Sequence, residues 1–242
     1  LIKLLLALTT LAAVYPVSAY TASVPQAAAG SVAPDTIEAR AQGCSTCHGA
    51  RGEGTSDPGF PRIAGKPAGY LFNQLKHFRD GERSYPPMNY LVAYMHDDYL
   101  AELAQYFAAQ SMDPGTARTP PPPTRPPAND DSGASRLVNH GDPAHGVPAC
   151  VLCHGPRLTG IEPGIPGLTG LDSRYIAAQL VSWRVGMRHA SNPDCMRDIA
   201  SRLSEAQVRQ VAAWLGAQRA AGLPSPAPAG SWTTPLPCGS QP

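Results

Sequence analysis

Cys44-Ser45-Thr46-Cys47-His48 and Cys150-Val151-Leu152-Cys153-His154 decide how this chain folds. Both read C-x-x-C-H. At that spacing two thiols can add to the two vinyl groups of one haem, while the next residue turns its imidazole onto the iron. One match in 242 residues could be chance. Two, in separate halves, point to two covalently attached haem c groups, with His48 and His154 as the proximal iron ligands.

The surroundings of the motifs repeat as well. Cys44, Cys47, His48 and Gly49 align with Cys150, Cys153, His154 and Gly155. Phe60-Pro61-x-Ile63-x-Gly65 aligns with Ile165-Pro166-x-Leu168-x-Gly170. Tyr70, Gln74, Leu75, Phe78, Arg79, Gly81 and Arg83 align with Tyr175, Gln179, Leu180, Trp183, Arg184, Gly186 and Arg188. Met88 then meets Met196 after an insertion of three residues in the second half.

Helical periodicity dominates both copies. Leu71, Leu75 and Phe78 stand at i, i+4 and i+7, and Ile176, Leu180 and Trp183 repeat them. Leu100, Leu103, Ala104 and Phe107 make a second apolar face, repeated by Val208, Val211, Ala212 and Leu215. Ser204-Glu205-Ala206-Gln207 has the form of a capping box. A helix near Asp35 leads into Cys44, and the last helix of the first half starts at Asp97. Strand-type alternation is missing from the sequence. The expected fold class is all-α: two tandem cytochrome c domains, each a small helical bundle around one covalent haem.

Five stretches follow. Residues 1–19 read as a signal peptide, with Lys3, the apolar run Leu4–Val14 and the small-x-small site Val17-Ser18-Ala19. That run falls short of the roughly 20 residues a spanning helix needs. An N-terminal domain spans 31–115 and a C-terminal domain 136–221. Between them, 116–135 is a Pro-rich linker containing Pro120-Pro121-Pro122-Pro123, which favours extended polyproline II. A Pro-rich tail, 222–242, ends the chain. Export predicts a periplasmic protein and an oxidising setting, where Cys195 and Cys238, left over after haem attachment, suggest a disulfide tying the tail to the second domain.

Composition narrows the function. Charged residues are 15%, aromatics 7%, and the net charge is +1, so nucleic-acid binding is not expected. Few aromatics leave small domains short of core, and a buried haem supplies the missing apolar mass. Residues 31–115 carry 7 Lys+Arg against 10 Asp+Glu, whereas 136–220 carry 9 Arg against 6 Asp+Glu. The two haems therefore sit in halves of opposite charge.

Position selects the distal ligands among five methionines. Met88 lies 40 residues after His48, and Met196 lies 42 after His154. Both fall between the two apolar helices, in segments read as loops that can carry a thioether to the haem face opposite the histidine. His189 is the rival in the second half. Pro61 and Pro166 are candidates to accept the other ring nitrogen of each histidine. Arg79, Arg83, Arg184 and Arg188 are candidates to pair with haem propionates.

Taken together, the repeated motifs resemble the cytochrome c4 family of periplasmic two-domain dihaem cytochromes, over roughly residues 36–112 and 140–220. Met196-Arg197-Asp198-Ile199-Ala200 is especially similar to the ligand segment of that family's second domain. The resemblance implies two cytochrome c folds about a pseudo-twofold axis, propionates meeting at their interface, and His/Met ligation at both irons. It implies an electron carrier, not an enzyme, serving a periplasmic respiratory chain. Its partners would be redox proteins, a membrane-bound oxidase or a dehydrogenase among them, with no small-molecule substrate. The alternative is a dihaem oxidoreductase of the peroxidase or thiosulfate dehydrogenase type, with one catalytic haem whose iron is open or labile; a Cys195 ligand would argue for it. A pair of zinc sites is disfavoured, because each motif offers only three closely spaced ligands where zinc needs four.

Overall fold

A computed structural model describes residues 35–110, 132–218, 225–231 and 233–241, all within one compact unit. The stretch 1–19 read as a signal peptide and the Pro-rich run at 119–127 lie outside the described residues. The fold is all-α in outline, two helical sub-bundles set against each other.

In the first half, α1 (Ile37–His48) begins where the Thr36 side chain accepts the amide of Ala39, and it ends on the haem motif itself. Helix α2 (Ala68–Arg79) packs on α4 (Asp97–Ala108), with α1 against α4 and the short α3 (Pro86–Val92) against α2. The expected apolar faces meet: Leu71, Phe78, Leu100, Leu103, Ala104 and Phe107 are all buried. At roughly 1.5–3 kcal/mol for each large side chain, these contacts hold the bundle against its conformational entropy.

The second half repeats the plan with one departure. Helix α5 (Gly133–His140) stops at Gly141, whose φ of 75° suits a residue without a Cβ. A 3₁₀ turn at Pro143–His145 follows, and only then the four-residue α6 (Val151–His154). Pro143 and Pro148 lack the amide that a continuous helix would use, so the single helix of the first half becomes two pieces here. Helix α5 begins inside the stretch read as linker, at residues 133–135. A two-residue antiparallel pair, β1 (Gly160–Ile161) with β2 (Ile165–Pro166), is a small strand feature that periodicity did not signal. Helix α7 (Ser173–Arg184) packs on α9 (Glu205–Gly216) and on α8 (Cys195–Arg202). The capping box at Ser204 and Gln207 is formed in both directions.

The tail is built into the second half. The Ala227 amide donates to Gly160 O at 2.9 Å, and the Glu162 amide to Ala227 O at 2.8 Å. Cys238 forms a disulfide with Cys195, their Cα atoms 5.2 Å apart. Gln241 Nε2 then donates to Glu162 O at 2.8 Å.

The halves join through a near-symmetric seam. Arg83 and Arg188 form an antiparallel bridge, flanked by Ser84 N to Met187 O at 2.8 Å and His189 N to Glu82 O at 2.7 Å. Arg83 donates to Gln74 Oε1, Gln179 Oε1 and the Tyr175 hydroxyl, at 2.7–3.0 Å. Arg188 mirrors it, donating to Gln179 Oε1, Gln74 Oε1 and the Tyr70 hydroxyl, at 2.8–3.3 Å. Each guanidinium lies over an aromatic ring of the helix that precedes it: Arg83 over Phe78 at 4.4 Å, Arg188 over Trp183 at 3.8 Å.

Two candidate haem centres

Each motif closes one wall of its own cavity. The first cavity, about 880 Å³, is lined by Cys44, Cys47, His48, Pro61, Leu71, Phe78 and Met88 among others. The second is lined by Cys150, Cys153, His154, Pro166, Leu180, Trp183 and Met196. It is tighter, about 140 Å³, so a macrocycle there requires the lining side chains to spread. The four motif thiols form no disulfide with one another. Burial raises the pKa of Cys44 and Cys153 and pushes Cys150 up to about 11.

Both histidines are oriented by a proline carbonyl. His48 Nδ1 lies 2.8 Å from Pro61 O, and His154 Nδ1 lies 2.7 Å from Pro166 O. A carbonyl only accepts, so Nδ1 carries the proton and Nε2 keeps its lone pair for a metal. Burial lowers both histidine pKa values, that of His154 to about 4. The rings are therefore neutral at neutral pH, the form that ligates iron.

The methionines line the cavities of their own halves, but they do not sit in loops. Met88 is the third residue of α3 and Met196 the second of α8. Pro86 and Pro87 preset the first turn of α3, and the Asp194 side chain caps α8 by accepting the Arg197 amide at 3.1 Å. A short capped helix holds a thioether at a more defined place than a loop. His189 instead contacts Gly186 O through Nε2 at 3.0 Å.

The arginine candidates divide. Arg79 is engaged by Asp80 and Asp97, at 2.8 and 2.6 Å, on the outside of the bundle, and Arg184 is exposed. Arg83 and Arg188 are buried at the seam and border the cavities. Arg188 Nε and Trp183 Nε1 are buried donors without a hydrogen-bond partner in the structure. Both residues line the second cavity. Orphaned donors of this kind are costly, and carboxylate oxygens of a propionate would satisfy them. The residues present fit a haem: paired thiols, a neutral oriented imidazole, apolar walls and donors for the propionates.

Sequence reasoning gave no role to Arg62 and Lys66, both buried between the cavities. The available signal was a break in the repeat, since Gly167 and Leu171 stand at the aligned positions.

Comparison with known proteins agrees with this geometry. No family model matches the chain. The thiosulfate dehydrogenase electron acceptor of Thiomonas intermedia is 36% identical over 178 residues, covering 74% of this chain and 79% of that protein. Cytochrome c4 of Pseudomonas aeruginosa is 34% identical over 180 residues, covering 74% of this chain and 85% of that protein. The chain belongs to the cytochrome c4 family. The solved structure of reduced recombinant cytochrome c4 from Pseudomonas stutzeri superposes with a TM-score of 0.61 at 26% identity, covering 76% of this chain and 97% of that one. As a cytochrome c4 relative the chain is a dihaem c-type cytochrome and an electron-transfer protein, working with redox partners. Cys44 with Cys47 and Cys150 with Cys153 are its two pairs for covalent haem attachment. Among the described residues no helix is long and apolar enough to cross a membrane.

Proposed function

We propose that this protein is a periplasmic carrier that holds each iron between a histidine and a methionine: His48 with Met88, and His154 with Met196. Each iron, when bound, supplies one ferric–ferrous exchange. The protein's part is to orient the ligands, exclude water from the macrocycle and neutralise its propionates. The observation that carries this reading is that each cavity brings together its own Cys pair, its own carbonyl-oriented histidine and its own helix-borne methionine. Irons held by both a histidine and a methionine as well as the macrocycle would leave no position open to a small molecule.

The two halves, 31–115 and 136–221, each house one haem, and residues 1–19 direct export. The donor is a dehydrogenase or a quinol-oxidising complex. A thiosulfate dehydrogenase is the favoured class, given the name of the Thiomonas relative. The acceptor is a terminal oxidase or another haem protein. A Cys195 ligand, which would favour the alternative of a catalytic haem, needs a free thiol, whereas Cys195 is bonded to Cys238.

The test is an absorption spectrum with redox titration of the wild type, Met88→Ala and Met196→Ala. Each substitution should abolish the thioether–iron absorption of one haem and lower the potential of that haem. Unchanged spectra and potentials in both variants would reject the ligand assignment.

A further inference from the structure

The wall between the two cavities concentrates positive charge, and the repeat does not share it equally. Arg62, Lys66, Arg83 and Arg188 are all buried, and no Asp or Glu is buried among the described residues. Arg83 and Arg188 are reciprocal. Arg62 and Lys66 are not, because their aligned positions in the second half hold Gly167 and Leu171.

Both unmatched cations reach out of the first half into the second. Arg62 Nη2 donates to Thr169 O at 2.8 Å. Lys66, only 4% exposed, donates through Nζ to Gly167 O at 2.7 Å. Gly167 follows Pro166, whose own carbonyl holds His154 Nδ1. Lys66 thus fixes the loop that orients the second proximal histidine, and it lines the second cavity as well as the first. The residue aligned with Lys66 is an apolar leucine, and what the second half returns is Arg174, which is solvent-exposed and donates to Ser56 O at 3.1 Å.

Burial and the neighbouring Arg62 and Arg188 charges push the Lys66 pKa well below that of a free lysine.

We propose that Lys66 is a tuning residue lent by the first half to the second haem centre, raising the reduction potential of the haem at Cys150 and Cys153 relative to that at Cys44 and Cys47. Reduction of ferric iron removes one unit of positive charge from the site. A fixed cation nearby, in a wall of low effective dielectric, favours the reduced form. Haem propionates at this wall would supply the counter-charge that holds Lys66 as an ammonium. Outer-shell hydrogen bonds and burial are general levers on haem potential. Here they act on one haem from the other half, so the shared electron rests on the second haem. This inference relies on the proposed His/Met ligation of both irons.

The experiment is a redox titration resolved at each haem by the paramagnetically shifted methyl resonances, on wild type, Lys66→Met, Lys66→Gln and Lys66→Arg. The neutral variants should lower the equilibrium constant for electron transfer from first to second haem about tenfold, equal to a change of about 59 mV in the difference between the two potentials. The first haem should move by less than half as much as the second, and Lys66→Arg should stay near wild type. Lys66→Gln retains a donor for Gly167 O and so guards against collapse of the apolar variant. Equal shifts at both haems, no shift, or a larger shift at the first would overturn the proposal. So would loss of the second haem in both neutral variants while Lys66→Arg keeps it, since Lys66 would then be a structural anchor. A wild type lacking thioether ligation would instead refute the proposed function, which separates the two failures.

Discussion

Replacing both Cys195 and Cys238 by serine removes the crosslink that ties the tail to α8. The residues are 43 apart in sequence. Closing a loop of that length in the unfolded chain costs about 13 cal/mol/K on the chain-entropy model, or about 4 kcal/mol at 25 °C. That is an upper figure, because the tail keeps other attachments: Gly239 N to Pro193 O at 2.9 Å, Gln241 to the Glu162 and Gly164 backbone, and the Ala227 pairing. The loss should fall mainly on the second half. Cys195 is the residue before Met196, and Cys238 and Ser240 line the second cavity. Guanidinium unfolding of the haem-loaded protein is the assay, followed by far-UV circular dichroism and by the resonances of each haem. The variant should lose about 2–4 kcal/mol, and its second haem should release its methionine at lower denaturant than the first. A loss under about 1 kcal/mol, within the lower part of the range for disulfides, would refute the reasoning. Earlier failure of the first haem would refute it too.

Two further perturbations probe the seam and a cap. At Gly69→Ala a Cβ would stand 2.6 Å from Pro163 O, the acceptor of the Tyr70 amide across the seam. Helix propensity alone favours the alanine by about 1 kcal/mol, yet overpacking against backbone should leave a net loss of about 1–3 kcal/mol in denaturant titration; a stabilised variant would show the seam to be soft. Asp172→Ala removes the α7 cap, in which the carboxylate accepts the Arg174 amide at 2.7 Å, and should cost about 1 kcal/mol at neutral pH. Hydrogen bonding to Arg174 lowers the Asp172 pKa from 3.8, so this stability is fully present above pH 3.8 and lost as pH falls through the lower folded value. Thermal melts of variant and wild type should accordingly converge in acid, and a gap that persists there would sink the assignment.

Much of the site was legible because it is local in the chain. The C-x-x-C-H spacing is a covalent constraint, and the apolar faces of α2, α4, α7 and α9 obey a period that any helix must show. The proline carbonyls were legible too, since Pro61 and Pro166 repeat at nearly the same distance from their histidines. The break between α5 and α6 was not read, although Pro143 and Pro148 mark it. Nor was the helical setting of the methionines, because seven- and eight-residue helices depend more on caps and packing than on periodicity.

By itself, then, the sequence determined two haem attachment sites and two helical halves, and it offered one candidate methionine for each. Tertiary structure decided which arginines are spent on surface acids and which are buried at the seam. It also decided that Cys195 meets Cys238, and that Lys66 reaches the loop behind His154. The seam, the disulfide and the Lys66 contact depend on groups 43 to 118 residues apart being brought within bonding distance. Side-chain identity names a donor or a thiol, but only the packing of one half against the other supplies its partner.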